Sequence, residues 1–148
     1  MAAVDELLDT NVLVYAFTTD PRSKAAEQLL AKGCSVSVQG LNEFANVAHR
    51  QLGMSWAEIG DAIAIIRTLC PRVLPLDAEI HTEALRLAEH DGLSFYDALV
   101  VATALRAGCA VLWSEDMHNG RVIQGRLRIV NPFAVSEGGY ALASRTAL

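Results

Sequence analysis

Short apolar runs alternate with longer stretches of helical periodicity along nearly the whole chain, and this alternation limits the fold more than any other feature. Strands are expected at residues 4–8, 34–38, 73–76, 110–113 and 127–130. Between them, helices are expected over residues 12–17, 21–31, 41–52, 55–69, 77–91 and 95–107. The punctuation agrees with this phasing. Asp9-Thr10-Asn11, Asp77 and Ser94 are N-cap types, Ser55 with Glu58 forms a capping box, and Gly33, Gly53 and Gly108 follow helix ends. Strands separated by helices need right-handed crossovers, which build a mostly parallel sheet covered on both faces. The expected fold class is therefore α/β, a three-layer α/β/α sandwich around a mostly parallel five-stranded sheet. One domain should span residues 1–135, with a loosely held C-terminal tail over residues 136–148.

At 148 residues the chain suits one domain, and 52% hydrophobic against 20% charged residues excludes a disordered polymer. No apolar run approaches the ~20 residues of a membrane span. The opening Met1-Ala2-Ala3-Val4-Asp5-Glu6 lacks the basic segment of a secretion signal, so a cytoplasmic protein is expected. Cys34, Cys70 and Cys109 are odd in number and far apart, which argues against a disulfide framework or a zinc site. A net charge of −5 argues against binding nucleic acid by bulk electrostatics. Residues 117–136 depart from that average, carrying Arg121, Arg126 and Arg128 and no acid.

Four acids lie where such folds place their chemistry, beyond the carboxyl ends of the strands. Asp9 follows the first expected strand and Asp116 the fourth, while Glu43 and Asp97 lie near the starts of helices that can approach the same edge. Taken singly, each has an ordinary explanation. Asp9 can cap a helix, Glu43 can favour a helix dipole, Asp97 can complete a capping box with Ser94, and Asp116 can sit in a solvated turn. Taken together, the topology permits them to converge. Two like charges ~4 Å apart repel by about 4 kcal/mol at an effective dielectric near 20, so four such groups need a cation. Carboxylates suit Mg²⁺ or Mn²⁺. Zinc fits poorly, because His49, His81, His90 and His118 include no His-x-x-x-His pair.

At these residues the chain resembles the PIN-domain ribonucleases, in particular the VapC toxins of toxin–antitoxin pairs. Leu8-Asp9-Thr10-Asn11-Val12-Leu13, Asn42-Glu43, Tyr96-Asp97-Ala98-Leu99 and Ser114-Glu115-Asp116 look like the four motifs of that family, in order. Asn131-Pro132-Phe133 looks like its closing segment. The acids are 34, 54 and 19 residues apart, and the ordered set is far more specific than any one motif. The resemblance implies a PIN-like fold and Mg²⁺- or Mn²⁺-dependent hydrolysis of RNA phosphodiester bonds. It also implies a homodimer and a cognate antitoxin partner. Asp9, Glu43, Asp97 and Asp116 match the catalytic and metal-binding acids, with Thr10, Asn11 and Ser114 as supporting polar residues.

Arg121, Arg126 and Arg128, with Arg50, are candidates to guide the RNA backbone; as solvated surface arginines they would need no function. Val12, Val14, Phe17 and Trp56 fit the core by default, or an apolar groove for an amphipathic antitoxin segment. Two rival functions belong to other classes. A phospho-receiver domain would need a lysine near the last strands, and the only lysines are Lys24 and Lys32. A catalytically silent binding module with the PIN-like fold would use the four acids merely as caps and turns.

Overall fold

The computed structural model describes residues 6–134. Within them run β1 (Glu6–Leu8), α1 (Thr10–Tyr15), α2 (Ser23–Lys32), β2 (Val36–Ser37), α3 (Val38–Arg50) and α4 (Trp56–Leu69). They are followed by β3 (Val73–Leu74), α5 (Ala78–Asp91), α6 (Phe95–Arg106), β4 (Val111–Trp113), β5 (Val122–Ile123) and β6 (Leu127–Val130). The expected tail, residues 136–148, lies outside the described residues.

Four strands pair in the order β1-β4-β6-β5, and β2 pairs with β3. A parallel bridge between Leu7 and Ser35 joins the two groups, so the strands run β3-β2-β1-β4-β6-β5. All neighbours are parallel except β5 with β6. The α/β architecture is thus as expected, but with a sixth strand. Strand β5 has only two residues and carries no readable periodicity. Its turn back to β6 closes through an Arg126 N–H to Ile123 carbonyl bond, with Gln124 and Gly125 both at positive φ. That pair of left-handed residues is what a type I′ hairpin turn requires.

The pleat of β1 divides the interior. Leu7 faces one apolar cluster with α5 and α6, including Ile80, Leu87, Val101, Leu112 and Ile129. Leu8 faces the other with α1 to α4, including Leu13, Phe44, Ile59 and Ile66. Adjacent residues pointing to opposite faces is the two-residue period of a strand, here splitting the core into the two outer layers of a sandwich. Helix α6 is buried along most of its length, from Ala98 to Leu105. The expected caps are in place at Asp9, Ser55 with Glu58, Asp77 and Ser94, each accepting from a backbone N–H of the first turn, and Ser37, expected inside a strand, adds a further cap. Val38, expected to end a strand, instead starts α3, because Ser37 caps the N–H of Gly40 at 2.8 Å. No helix among the described residues is long and apolar enough to cross a membrane.

Candidate active site

Parallel register sets the floor of the site. Leu8 pairs with Trp113, so the next residues, Asp9 and Ser114, emerge side by side from the carboxyl ends of β1 and β4. The Asp9 N–H donates to the Trp113 carbonyl at 3.0 Å. The Asp9 side chain is only 9% exposed. Its Oδ1 accepts from the Thr10 N–H at 2.7 Å and its Oδ2 from the Ser114 hydroxyl at 2.7 Å. Asp9 therefore does cap α1, and the same cap aims it into the cleft.

Three further acids reach the cleft from three different elements. Glu43, on the second turn of α3, accepts from the Thr10 hydroxyl at 2.9 Å and from Gln39 Nε2 at 2.8 Å. Asp97 lies in the first turn of α6, its N–H capped by Ser94 Oγ at 3.3 Å. Asp116, in the loop after β4, accepts from Asn11 Nδ2 at 3.1 Å. All four line one open cleft of about 810 Å³. Position 40 of α3 is glycine beside its own cap: a Cβ there would crowd Ser37 Oγ at 3.1 Å, while 3.9 Å to Thr10 Oγ1 is ordinary contact.

The acids feel one another. Burial pushes the Asp9 carboxyl up to about 6, and the charges of Glu43 and Asp97 add to it, against the hydrogen bonds from Ser114 and Thr10. Burial also raises Asp97, and the charges of Asp116 and Glu43 raise it further. The coupling is through space rather than through shared contacts. Among the described residues, no three Asp, Glu, His or Cys side chains stand close enough to hold an ion as they are placed. The donor chemistry still suits a hard divalent cation. The cleft offers carboxylate oxygens and no thiol or imidazole, and an ion that keeps several of its waters needs only one or two direct carboxylates. Of the polar residues beside the acids, Thr10 stands between Asp9 and Glu43, Ser114 bonds Asp9, and Asn11 spans Ser114 and Asp116.

None of Arg50, Arg121, Arg126 and Arg128 lines the cleft. Arg121 is drawn to α5, donating to the Asp91 carbonyl at 2.6 Å. Arg128 pairs across the sheet with Val111, at the amino end of β4, and Arg126 lies in the turn before β6. Both therefore belong to the end of the sheet away from Asp9 and Ser114. Arg50 ends α3, next to the cleft-lining Gln51 and Leu52. Of the apolar candidates, Val12 and Phe17 do pack inside, but Trp56 is 63% exposed and stacks on His49 at 3.9 Å.

Sequence reasoning passed over a second polar group at the same cleft. The Glu115 carboxylate accepts from the Tyr15 hydroxyl at 2.8 Å and from Arg22 Nη1 at 2.6 Å. Arg22 also binds both carboxylate oxygens of Asp20 at 2.8 Å and lies 4.3 Å over the Tyr15 ring. These partners are 93 and 100 residues apart, so no local spacing announces them. The only signal was the acid directly before Asp116.

A parallel sheet sandwiched by helices, with acids from strand ends and helix starts gathered above its carboxyl edge, defines an acidic-cleft α/β protein. The chain belongs to the PIN-domain family, whose model matches residues 7–122. Among solved structures it is similar to VapC20 of Mycobacterium tuberculosis, a sarcin–ricin loop cleaving toxin. The two are 25% identical over 75% of this chain and 89% of that one, with a TM-score of 0.63. Its fold also resembles a toxin–antitoxin complex from Klebsiella pneumoniae, at 19% identity, 86% and 98% coverage and a TM-score of 0.66. VapBC2 from Rickettsia felis, bound to promoter DNA, gives 18% identity, 85% and 98% coverage and a TM-score of 0.62. No curated protein sequence matches the chain.

Proposed function

We propose that this protein is a metal-dependent endoribonuclease of the VapC type, the cytoplasmic toxin half of a toxin–antitoxin pair, acting on RNA as a homodimer held in check by an antitoxin. One observation carries the reading: Asp9, Glu43, Asp97 and Asp116, from four separate elements, line one cleft, where burial and the neighbouring acids raise the proton affinity of Asp9 and Asp97. Family membership and the likeness to VapC20, a toxin that cleaves the sarcin–ricin loop, support it. The neighbouring complexes with antitoxins support the protein partner.

Asp9 and Asp97 would be the most direct ligands of Mg²⁺ or Mn²⁺, with Asp116 and Glu43 completing the set. Such an ion supplies an acidified water and a counter-charge for the phosphoryl oxygens, and it reverses the cleft's repulsion of a polyanion. The chain's own residues prepare the site. Ser114 and the Thr10 N–H keep the Asp9 carboxylate oriented, Thr10 and Gln39 hold Glu43, and Asn11 holds Asp116. Arg50, next in sequence to the cleft-lining Gln51 and Leu52, would meet the RNA backbone.

Asp97→Asn tests this reading. It keeps size and removes one charge, so Mn²⁺-dependent cleavage should fall by orders of magnitude while the melting temperature changes little. Retained cleavage would take Asp97 off the list. The silent binding module is favoured by one observation, the absence of three acids at ligand spacing among the described residues. A Mn²⁺ titration separates the two, because an ion that binds only the folded state must raise the melting temperature. A flat titration favours the binding module.

A further inference from the structure

We infer that Tyr15, Glu115 and Arg22 form a clamp that positions the Asp116 loop, so that Tyr15 and Arg22 set how tightly the cleft binds a divalent cation. The inference rests on the metal-dependent reading above. Asp116 is exposed and, among the described residues, has one side-chain donor, Asn11, so its carboxylate is placed mainly by the backbone on which it stands. That backbone is tied down at the preceding residue. The Glu115 N–H donates to Asn11 Oδ1 at 3.2 Å, and its two carboxylate oxygens are taken separately by Tyr15 and Arg22.

Both holders are themselves fixed. Burial, with the Glu115 carboxylate beside it, pushes the Tyr15 hydroxyl up to about 12, so it stays a donor. The Tyr15 ring packs edge-on against Phe133 at 5.2 Å, which gives the closing Asn131-Pro132-Phe133 segment a part in the site. Arg22 is forked onto Asp20 through Nε and Nη2, leaving Nη1 for Glu115, and its guanidinium covers the Tyr15 ring. A planar guanidinium satisfied on two carboxylates has little freedom left. The clamp also has a charge role. Asp20 and Glu115 line the same cleft as the four acids, and Arg22 keeps their carboxylates engaged rather than free to compete for the ion.

Charge and position predict opposite signs, which makes the inference testable. Removing a cation from beside an acidic cleft should tighten cation binding if Coulomb attraction alone mattered. Loss of the clamp should weaken it. Mn²⁺ binding to the full chain is measured by isothermal titration calorimetry for wild type, Arg22→Met and the charge-neutral Tyr15→Phe, alongside melting in EDTA. Outer partners of metal ligands typically change affinity by 10–100-fold, so each variant should raise the Mn²⁺ Kd by about tenfold. Tyr15→Phe keeps the Phe133 contact and should fold even where Arg22→Met does not. A purely structural role would lower the EDTA melting temperature and leave Kd unchanged. Unchanged or tighter Mn²⁺ binding by Tyr15→Phe, with wild type binding normally, overturns the clamp alone. A wild-type protein that binds no Mn²⁺ overturns the metal-dependent reading and the clamp with it.

Discussion

Asp9 is the residue at which folding and function conflict most directly. Its carboxyl titrates near pH 6 instead of the ordinary 3.8, chiefly because it is buried. The folded state thus binds the proton more tightly than the unfolded chain does. Stability from this group is present below about pH 4, falls as pH rises towards 6, and is gone above that. The ionised Asp9 then opposes folding by roughly 3 kcal/mol in the absence of a counter-ion. Asn can keep both contacts, its carbonyl accepting from Thr10 and its amide donating to Ser114 Oγ. Asp9→Asn should therefore melt several degrees above wild type at pH 7.5 in EDTA, with the difference closing near pH 4. Scanning calorimetry at the two pH values checks this, and a variant less stable at pH 7.5 would show that Asp9 is not a destabilising charge. Mn²⁺ should reverse the ranking by stabilising only wild type.

Helices α3 and α4 each contain one glycine, and their surroundings assign opposite roles. Gly60 is exposed within α4, and a Cβ there meets nothing within 4 Å. Gly60→Ala should stabilise the protein by about 0.5–1 kcal/mol, because alanine loses less backbone entropy on entering a helix. Gly40 lies where α3 passes α1, and its Cβ would crowd the Ser37 hydroxyl that caps the helix. For Gly40→Ala the same gain is offset by a strained cap, so urea unfolding should show a clear rise in midpoint for position 60 and none for position 40. If position 40 rose equally, a Cβ there would not strain the Ser37 cap. Legibility of the chain divides along the same line between local and distant. Caps at Asp9, Ser55, Asp77 and Ser94 are written within four residues, and so were the helices they start and the placing of the four acids near strand ends and helix starts. The Tyr15–Glu115–Arg22 clamp was not, since its partners meet only after the sheet has formed. Trp56 misled for a related reason: an apolar side chain implies burial on average, whereas here it stacks in the open on the exposed His49 ring. Strand β5 has two residues like β2 and β3, but those sit in longer apolar runs, whereas polar Arg121 and Gln124 flank Val122 and Ile123.

Charge acts at the scale of the whole molecule, and strand direction decides where it acts. A run of +3 in the sequence looked suited to RNA, but β6 runs parallel to β4, so its early residues lie at the end of the sheet away from the acids. Arg126 and Arg128 are exposed there, on the far side of the fold from Asp9 and Ser114. Each phosphate contact on single-stranded nucleic acid contributes about 0.7 to the slope of log affinity against log salt. Replacing two arginines that touch the backbone should therefore flatten that slope by about 1.4. We expect no such change for Arg126→Gln with Arg128→Gln, measured on the Asp97→Asn protein so that the RNA stays intact, with Mn²⁺ in excess. Arg50→Gln, one residue before the cleft-lining Gln51, should flatten the slope by about 0.7 under the same conditions. The reverse result, a slope that drops with the double variant and holds with Arg50→Gln, would mean that RNA reaches around the sheet. The path of the strand would then have to be drawn from the hairpin rather than from the cleft.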